Sequence, residues 1–174
     1  GDHWQLPPTV LSNQAARLGL NQSILEVAIP SVPEVYLLNT QYRMRESIAG
    51  FSSTYFYDSL LLTAKHLQNT GVHLTFIDTA GSGFQEVRGP DGTSLQNEGE
   101  LSLALKIIET SSLDSLKTAF ISPYAGQAAA AKEKLPNGMR VSTIDSFQGQ
   151  EMETIIVSLV RSNVSGEIGF LKDY

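Results

Sequence analysis

Short β-branched or aromatic runs alternate along this chain with segments whose apolar residues recur at helical spacing. This alternation predicts an α/β domain in which a mostly parallel sheet is sandwiched by helices. The runs bounded by turn residues, as buried strands are, lie at 35–38, 72–78, 117–122 and 155–160, with a further candidate at 139–143. Two apolar stripes at helical spacing consist of Ile48, Phe51 and Tyr55, and of Leu101, Ala104, Leu105 and Ile108.

The connections between these segments carry signals of their own. Ser23 and Glu26 have the Ser-x-x-Glu spacing of a capping box, which predicts the start of a helix. The stretch 79–98 is rich in Gly, Ser and Asn and predicts a long, mobile surface loop. Within it, the segment 81–83 (Gly-Ser-Gly) lacks the strand-to-helix context of a phosphate loop, so we predict a simple turn there.

Composition excludes several classes of protein. The chain has 174 residues, of which 41% are hydrophobic, and this is enough for a compact domain with a core. The absence of cysteine excludes disulfides, thiolate zinc sites and cysteine nucleophiles, and the three scattered histidines (3, 66 and 73) predict no metal site. No run of eighteen apolar residues occurs, so we expect no membrane association. We expect an intracellular protein of the cytoplasm, or of the nucleus if the source is eukaryotic.

Four polar motifs lie near the ends of the predicted strands, where ligands bind in open parallel sheets. They are Gly-Asp-His-Trp-Gln-Leu-Pro-Pro at 1–8, Gln-Tyr-Arg-Met at 41–44, Ser-Pro-Tyr-Ala-Gly-Gln at 122–127 and Thr-Ile-Asp-Ser-Phe-Gln-Gly-Gln-Glu at 143–151. Tyrosine can stack on a base, and the arginine fork suits phosphate. Against a nucleic-acid ligand stands the formal net charge of −6, because neutralising phosphates requires clustered Lys and Arg.

In order and spacing these motifs, followed by Ser-Leu-Val-Arg-Ser-Asn at 158–163, resemble those of superfamily 1 helicases. The Phe-Gln-Gly and Val-Arg-Ser-Asn variants are similar to the 5′-to-3′ branch that contains the nonsense-mediated-decay and immunoglobulin mu-binding helicases. The resemblance covers 1–171 and implies a RecA-like fold of the P-loop NTPase type. It also implies that 1–30 are the end of a first motor domain with a connecting segment, and that 31–174 are a second RecA-like domain, incomplete at its C-terminus.

The resemblance implies a role for each matching residue. Gln5 would sense the γ-phosphate, on a loop that Asp2 braces, and Arg43 would act as an arginine finger. The residues implied in ATP binding, including the base-stacking tyrosine and the acid on the ribose, are Gln41, Tyr42, Gly149 and Glu151. Those near the nucleic-acid backbone are Ser122, Tyr124 and Thr143. In this family the strand lies in a groove shared by two domains, which needs no uniformly basic surface.

No Gly-x-x-x-x-Gly-Lys-Ser/Thr loop and no acidic magnesium motif occur in the sequence. We therefore expect ATP with Mg²⁺ to act only in the full-length enzyme, together with single-stranded DNA or RNA and the first RecA-like domain of the same chain. We expect this polypeptide to be an excised piece without ATPase activity of its own.

Two alternatives remain open to different degrees. A non-catalytic RecA-like module that binds protein or nucleic acid would share the fold but would not need Gln5, Tyr42, Arg43 and Glu151 together. A dinucleotide-binding oxidoreductase domain is disfavoured, because no Gly-x-Gly-x-x-Gly follows a predicted strand.

Overall fold

The computed structural model describes residues 2–5, 10–68, 71 and 73–172. The chain forms two compact units, residues 1–76 and 77–174, which are treated separately below. The assignment of 1–30 to the end of a first motor domain and of 31–174 to a second RecA-like domain stays a prediction.

The described part of the first unit contains three α-helices and one pair of strands. The helices are α1 (Asn13–Ala15), which runs into a π-helical turn (Ala16–Leu20), α2 (Ile24–Ala28), which runs into a 3₁₀ turn (Ile29–Ser31), and α3 (Glu46–Phe56). Strands β1 (Thr40–Gln41) and β2 (Leu62–Thr63) pair in parallel, and a 3₁₀ turn spans Lys65–Leu67. The capping box predicted for Ser23 and Glu26 is confirmed, since each side chain accepts the other residue's backbone N–H at the start of α2.

The strand predicted at 35–38 is wrong, because these residues belong to no strand in the described part of the chain and their side chains are exposed. Pairing begins at Asn39, whose carbonyl accepts the Leu62 N–H at 2.6 Å. Strand β2 is only two residues long and pairs with Thr40 and Gln41, so among the described residues it offers no partner backbone to 35–38. The strand predicted at 72–78 is wrong over 73–78, which pair with no strand in the described part of the chain, and Val72 lies outside it.

Helix α3 forms where predicted but turns a different face inward. Its buried residues are Ala49 and Ser53, one turn apart, and the Ser53 hydroxyl donates to the Leu61 carbonyl at 2.8 Å. The predicted stripe of Ile48, Phe51 and Tyr55 is exposed, and the rings of Phe51 and Tyr55 stack with centroids 4.5 Å apart. Small side chains allow α3 to lie close to the β2 backbone, which the bulky stripe could not do.

The second unit is built on a parallel sheet of order β6-β5-β7. Its elements in chain order are β3 (Val87–Arg88), β4 (Leu95–Gln96), α4 (Glu98–Thr110), a 3₁₀ turn (Ser115–Lys117), β5 (Thr118–Ser122), α5 (Ala125–Lys134), β6 (Arg140–Thr143), α6 (Ile144–Phe147), β7 (Thr154–Val157) and a 3₁₀ turn (Gly169–Lys172). The central strand β5 is buried along its whole length, as predicted for 117–122, and β6 confirms the candidate at 139–143.

Alternation along β5 places a core on each face of this sheet. Phe120 lies on one face, in a cluster with Leu101, Ala104 and Ile108 of α4 and with Ala131 of α5. The predicted stripe of α4 is thereby confirmed, with Leu105 packed at its edge. Ala119 and Ile121 lie on the other face against Phe147. The sheet is therefore covered on both faces, as a buried parallel sheet requires.

One connection and one strand of the second unit differ from their predictions. The stretch 79–98 is not an open loop throughout, because β3 and β4 form an antiparallel hairpin within it, closed by a Gly89 N–H to Ser94 carbonyl bond of 2.8 Å. The turn at 81–83 is confirmed, with the Ser82 N–H donating to the Thr79 carbonyl at 3.1 Å. The strand predicted at 155–160 ends at Val157, and the buried Val160 has a φ of 72°, which ends the extended backbone.

The mixed α/β architecture, with parallel sheets flanked by helices, confirms the predicted RecA-like fold class. Among the helices that the structure describes, none is both long and apolar enough to cross a membrane.

Candidate functional site

Gln41 shapes the loop that carries Tyr42 and Arg43. Its side-chain oxygen accepts the Arg43 N–H at 2.9 Å and the Met44 N–H at 2.8 Å. Its side-chain nitrogen donates to the Met44 carbonyl at 2.7 Å and to the Thr63 hydroxyl at 3.0 Å. The amide thus closes the loop on itself and ties it to β2. The predicted ATP contact by Gln41 would have to be made alongside these four bonds.

The closed loop leaves its two candidate ligand-binding side chains exposed. Tyr42 is 70% exposed, and its ring lies 6.4 Å from that of His66 at an interplanar angle of 28°. Arg43, next to it, is also exposed. An aromatic face and a guanidinium on adjacent residues can contact an aromatic base and an anion respectively.

Asp2 organises the loop that carries Gln5. Its carboxylate accepts the Trp4 N–H at 3.1 Å and the Gln5 side-chain amide at 3.1 Å. It also accepts the hydroxyl of Tyr57, the residue directly after α3. Partial burial opposes ionisation of Asp2, but the bonds from Tyr57, Trp4 and Gln5 outweigh it and hold its pKa below the ordinary value. Gly1 and residues 6–8 of this motif lie outside the described residues.

Ser122 and Thr143 are neighbours at the carboxyl ends of β5 and β6, where the parallel register pairs them. Ser122 is fully buried, and its hydroxyl accepts the Tyr124 N–H at 3.2 Å. Thr143 is half-buried and caps α6, since its hydroxyl accepts the Ser146 N–H at 3.4 Å. The sheet therefore brings together two residues that the sequence predicts near a nucleic-acid backbone, with Thr143 the more accessible.

Tyr124 is 7% exposed, and its hydroxyl accepts a hydrogen bond of 3.3 Å from Arg161. Arg161, in the Val-Arg-Ser-Asn segment, also lies 3.0 Å from the Glu86 carboxylate and 3.6 Å from that of Glu167. The pair with Glu86 is largely buried, with side chains 12% and 14% exposed. Tyr124 thus contacts a cluster formed by Arg161, Glu86 and Glu167. The sequence did not indicate Glu86, because it lies far from Arg161 along the chain.

A buried polar network surrounds Gln127, the last residue of the motif at 122–127. Its side chain accepts the Asn97 N–H at 2.8 Å and donates to the Asn97 carbonyl at 3.1 Å and the Ser158 hydroxyl at 2.9 Å. The Glu100 carboxylate accepts from the Ser158 hydroxyl at 2.6 Å and from the Val160 N–H at 3.1 Å. This network joins the starts of α4 and α5 to the segment after β7. No spacing in the sequence indicated it.

Two glycines in the motifs have backbone reasons to be there. Gly149 has a φ of 82°, in the left-handed region that favours glycine, and a Cβ there would contact nothing within 4 Å. At Gly126 the reason is space, since a Cβ would lie 2.7 Å from the Leu95 carbonyl oxygen. Glu151, two residues after Gly149, is exposed. The turn at Gly149 thus leads the chain from α6 to an exposed carboxylate.

The predicted site residues fall into two groups, one in each unit. The first unit contains Gln5, Gln41, Tyr42 and Arg43, and the second contains Ser122, Tyr124, Thr143, Gly149 and Glu151.

Residues 20–174 match a family described as an AAA domain. The chain is 34% identical to the DNA-binding protein SMUBP-2 of Mesocricetus auratus, covering 99% of this chain and 20% of that protein. It is 33% identical to a regulator of nonsense transcripts 1 homolog of Arabidopsis thaliana, covering 99% and 16%. A third relative is the DNA polymerase alpha-associated DNA helicase A of Saccharomyces cerevisiae, at 32% identity over 99% and 30%.

This chain belongs to the superfamily 1 helicase family. The relatives confirm the predicted resemblance to the nonsense-mediated-decay and immunoglobulin mu-binding branch. The chain spans between 16% and 30% of the length of these three helicase-family relatives.

The exposed ring of Tyr42 and the adjacent guanidinium of Arg43 have the chemistry to contact an aromatic base and an anion, and both lie on a loop whose shape Gln41 fixes. Within the described residues, no group of three or more His, Cys, Asp or Glu side chains could hold a metal ion.

Proposed function

We propose that this chain is the second motor domain of an ATP-dependent nucleic-acid helicase. The observation that carries the proposal is the loop closed by Gln41, which presents Tyr42 and Arg43 side by side on the surface. The proposed ligands are ATP with Mg²⁺ and single-stranded DNA or RNA. The proposed partner is the first RecA-like domain of the same full-length chain, in which residues 1–30 form the end of that domain and 31–174 the second.

On the nucleotide side, Arg43 offers a fixed positive charge to the γ-phosphate, an arginine-finger role. Tyr42 offers its ring to the base, and Glu151, placed by the turn at Gly149, offers a carboxylate to the ribose hydroxyls. Gln5 senses the γ-phosphate from the loop that Asp2 organises. Gln41 contributes by holding the shape of the Tyr42-Arg43 loop, since its amide is already bonded within it.

On the nucleic-acid side, Ser122, Tyr124 and Thr143 lie at or beyond the carboxyl ends of β5 and β6. We assign the direct backbone contact to Thr143, whose hydroxyl is the more accessible, and a supporting role to Ser122 and Tyr124, which are buried. Hydroxyl contacts to a nucleic-acid backbone carry no sequence information, so this track is expected to be sequence-independent.

The motor function requires charges from two domains on one nucleotide. Arg43 acts from this domain, while a phosphate loop on the other domain would cradle the β-phosphate, so closure of the cleft depends on both. In the full-length enzyme, closure and opening of the cleft would be coupled to a change in the nucleic-acid contact of Thr143.

The test is ATP hydrolysis by a form of the protein that includes the phosphate-loop domain, comparing Arg43→Ala with the wild type. We expect a loss of about 10³ to 10⁵ in rate, because an arginine finger stabilises charge in the transition state. Tyr42→Ala should instead weaken nucleotide binding, by about 1–3 kcal/mol if the ring stacks on the base. The 174-residue polypeptide alone should release no phosphate above background.

Arg45→Ala is the matched control, since Arg45 lies two residues away and makes no side-chain cap on α3. It should hydrolyse ATP at close to the wild-type rate. Normal hydrolysis by Arg43→Ala would refute the arginine-finger assignment. ATP turnover by the 174-residue polypeptide would refute the division of the ATP site between two domains. If neither the wild type nor any variant hydrolysed ATP and Arg43→Ala still bound nucleic acid tightly, a non-catalytic binding module would be favoured.

A further inference from the structure

Tyr57 lies at the C-terminal end of α3, the helix that begins directly after the Tyr42-Arg43 loop. Helix α3 starts after Arg45, its N-cap, and ends before Tyr57, its C-cap. A helix of 11 residues is a rigid rod on the scale of a single domain. The two ends of α3 therefore keep a fixed separation and relative orientation.

At its C-terminal end this rod holds the Gly-Asp-x-x-Gln loop. The Tyr57 hydroxyl donates to the same Asp2 oxygen, Oδ2, that accepts the Gln5 side-chain amide. The other oxygen, Oδ1, accepts the Trp4 N–H at 3.1 Å, and the Trp4 ring lies 6.0 Å from that of Phe56 at the end of α3. One carboxylate thus joins the helix end, the loop backbone and the side chain of Gln5.

We propose that Tyr57 is a positioning residue, which through Asp2 sets the orientation of the Gln5 amide and links it mechanically to Arg43 through α3. This inference rests on the proposed function of Gln5 and Arg43 at the γ-phosphate. A loop of non-repetitive backbone has no ladder of hydrogen bonds to fix the backbone from which Gln5 projects, so the orientation of Gln5 depends on side-chain contacts such as this one. The helix gives the two γ-phosphate residues one common support.

The ionisation of the pair agrees with this geometry. Partial burial and the bond to the Asp2 carboxylate raise the pKa of Tyr57 to about 12, while the bonds that Asp2 accepts lower its own pKa. At neutral pH the phenol is therefore a donor and the carboxylate an acceptor. The contact keeps its donor and acceptor roles over the physiological range.

Tyr57→Phe removes only the hydroxyl and tests the contact in the 174-residue chain. Trp4 is the chain's one tryptophan, so its quenching by acrylamide reports on the loop alone. We expect the quenching constant of Tyr57→Phe to rise toward that of a free indole. Tyr55→Phe is the matched control, because Tyr55 is on the same helix and 71% exposed, and it should quench like the wild type. Equal quenching of Tyr57→Phe and wild type would overturn the proposal.

The second arm measures kcat and KM for ATP in the form that includes the phosphate-loop domain. Tyr57→Phe should lower kcat by about 10- to 150-fold, the loss expected for one hydrogen bond to a charged group, with little change in KM. In a Gln5→Ala background the same substitution should cause no further loss, since Tyr57 acts through Gln5. If Tyr57 had a merely structural role, the losses caused by Tyr57→Phe and by Gln5→Ala would multiply in the double variant. That result would overturn the role of Tyr57 and leave the proposed function standing.

The two ideas fail in distinguishable ways. Normal hydrolysis by Gln5→Ala would refute the role of Gln5 in the proposed function, and with it the positioning role of Tyr57. Large losses in Gln5→Ala and in Arg43→Ala would support the proposed function. If Tyr57→Phe then multiplied the loss of Gln5→Ala, only the positioning role of Tyr57 would be refuted.

Discussion

Replacing Gln127 by leucine should strongly destabilise the second unit. The side chain is fully buried and makes three hydrogen bonds, two to the backbone of Asn97 and one to the Ser158 hydroxyl. After the substitution, the Asn97 carbonyl keeps the Leu101 N–H, and Ser158 keeps the Glu100 carboxylate. The Asn97 N–H, however, loses the acceptor that Gln127 provides.

The magnitude follows from these three bonds. A buried donor without a partner costs about 1–3 kcal/mol, and each of the other two bonds contributes about 0.5–1.5 kcal/mol. The unfolding free energy should therefore fall by about 2–6 kcal/mol, with the added apolar burial of leucine favouring the lower half of this range. A loss of 2 kcal/mol already corresponds to about 30-fold in the folding equilibrium.

Hydrogen exchange of the β5 amides of Thr118–Ser122 measures this loss, because β5 is the buried centre of the unit and its amides exchange through its opening. Gln150→Leu is the matched control: Gln150 makes one exposed bond, to the Ser146 carbonyl at 3.0 Å, and its loss should change stability by less than about 0.5 kcal/mol. If β5 exchanged equally fast in Gln127→Leu and Gln150→Leu, the buried network would not have the stabilising role argued here.

Two further predictions concern ionisation and nucleic-acid binding. Because the pKa of Asp2 is lowered in the folded chain, the ionised carboxylate contributes its full stabilisation above its ordinary pKa, and this stabilisation is lost as pH falls through the folded pKa. Because the pKa of Tyr57 is raised to about 12, the neutral phenol contributes its full stabilisation below its ordinary pKa of 10.0, and this stabilisation is lost as pH rises through 12. In the folded chain the contact is lost only when Asp2 is protonated or Tyr57 ionises, so acrylamide quenching of Trp4 should be constant between about pH 5 and pH 10. It should rise only below the ordinary pKa of Asp2 and as pH approaches 12; a rise between about pH 8 and pH 10 would contradict this. By fluorescence anisotropy over a salt series, the 174-residue chain, with its net charge of −6, should bind single-stranded oligonucleotides weakly and without sequence preference, and tight sequence-selective binding would contradict the proposed track.

Helix α4 and strand β5 could be predicted from the sequence because the pattern of apolar residues within each segment is enough to show which of its faces is buried. The α4 stripe packs on a sheet, and the β5 run is buried on both faces. The run at 35–38 has the same apolar character, but a strand also needs a partner backbone, and β2 supplies only two residues of it. Pairing partners are a property of the whole chain, which a local pattern cannot show.

The candidate site shows the same division between local and distant information. Tyr42, Arg43 and Glu151 are exposed, as residues predicted to reach a ligand should be. Tyr57, Glu86 and Glu100 were missed because each acts on a motif residue far from it in sequence. Their residue types, taken singly, are those of ordinary surface positions.

The motifs of this family combine two kinds of polar residue, which the structure separates. Gln41 and Gln127 use both ends of their amides on the neighbouring backbone, and the Ser122 hydroxyl is bonded within its own turn. Loops that follow strands have lost their ladder partners, so their N–H and C=O groups need side-chain partners instead. An amide, which both donates and accepts, meets that need where an acid or a base could not. Much of each motif is therefore required to hold a loop in shape, and this scaffolding allows the few exposed residues, such as Arg43, to be placed where a ligand can meet them.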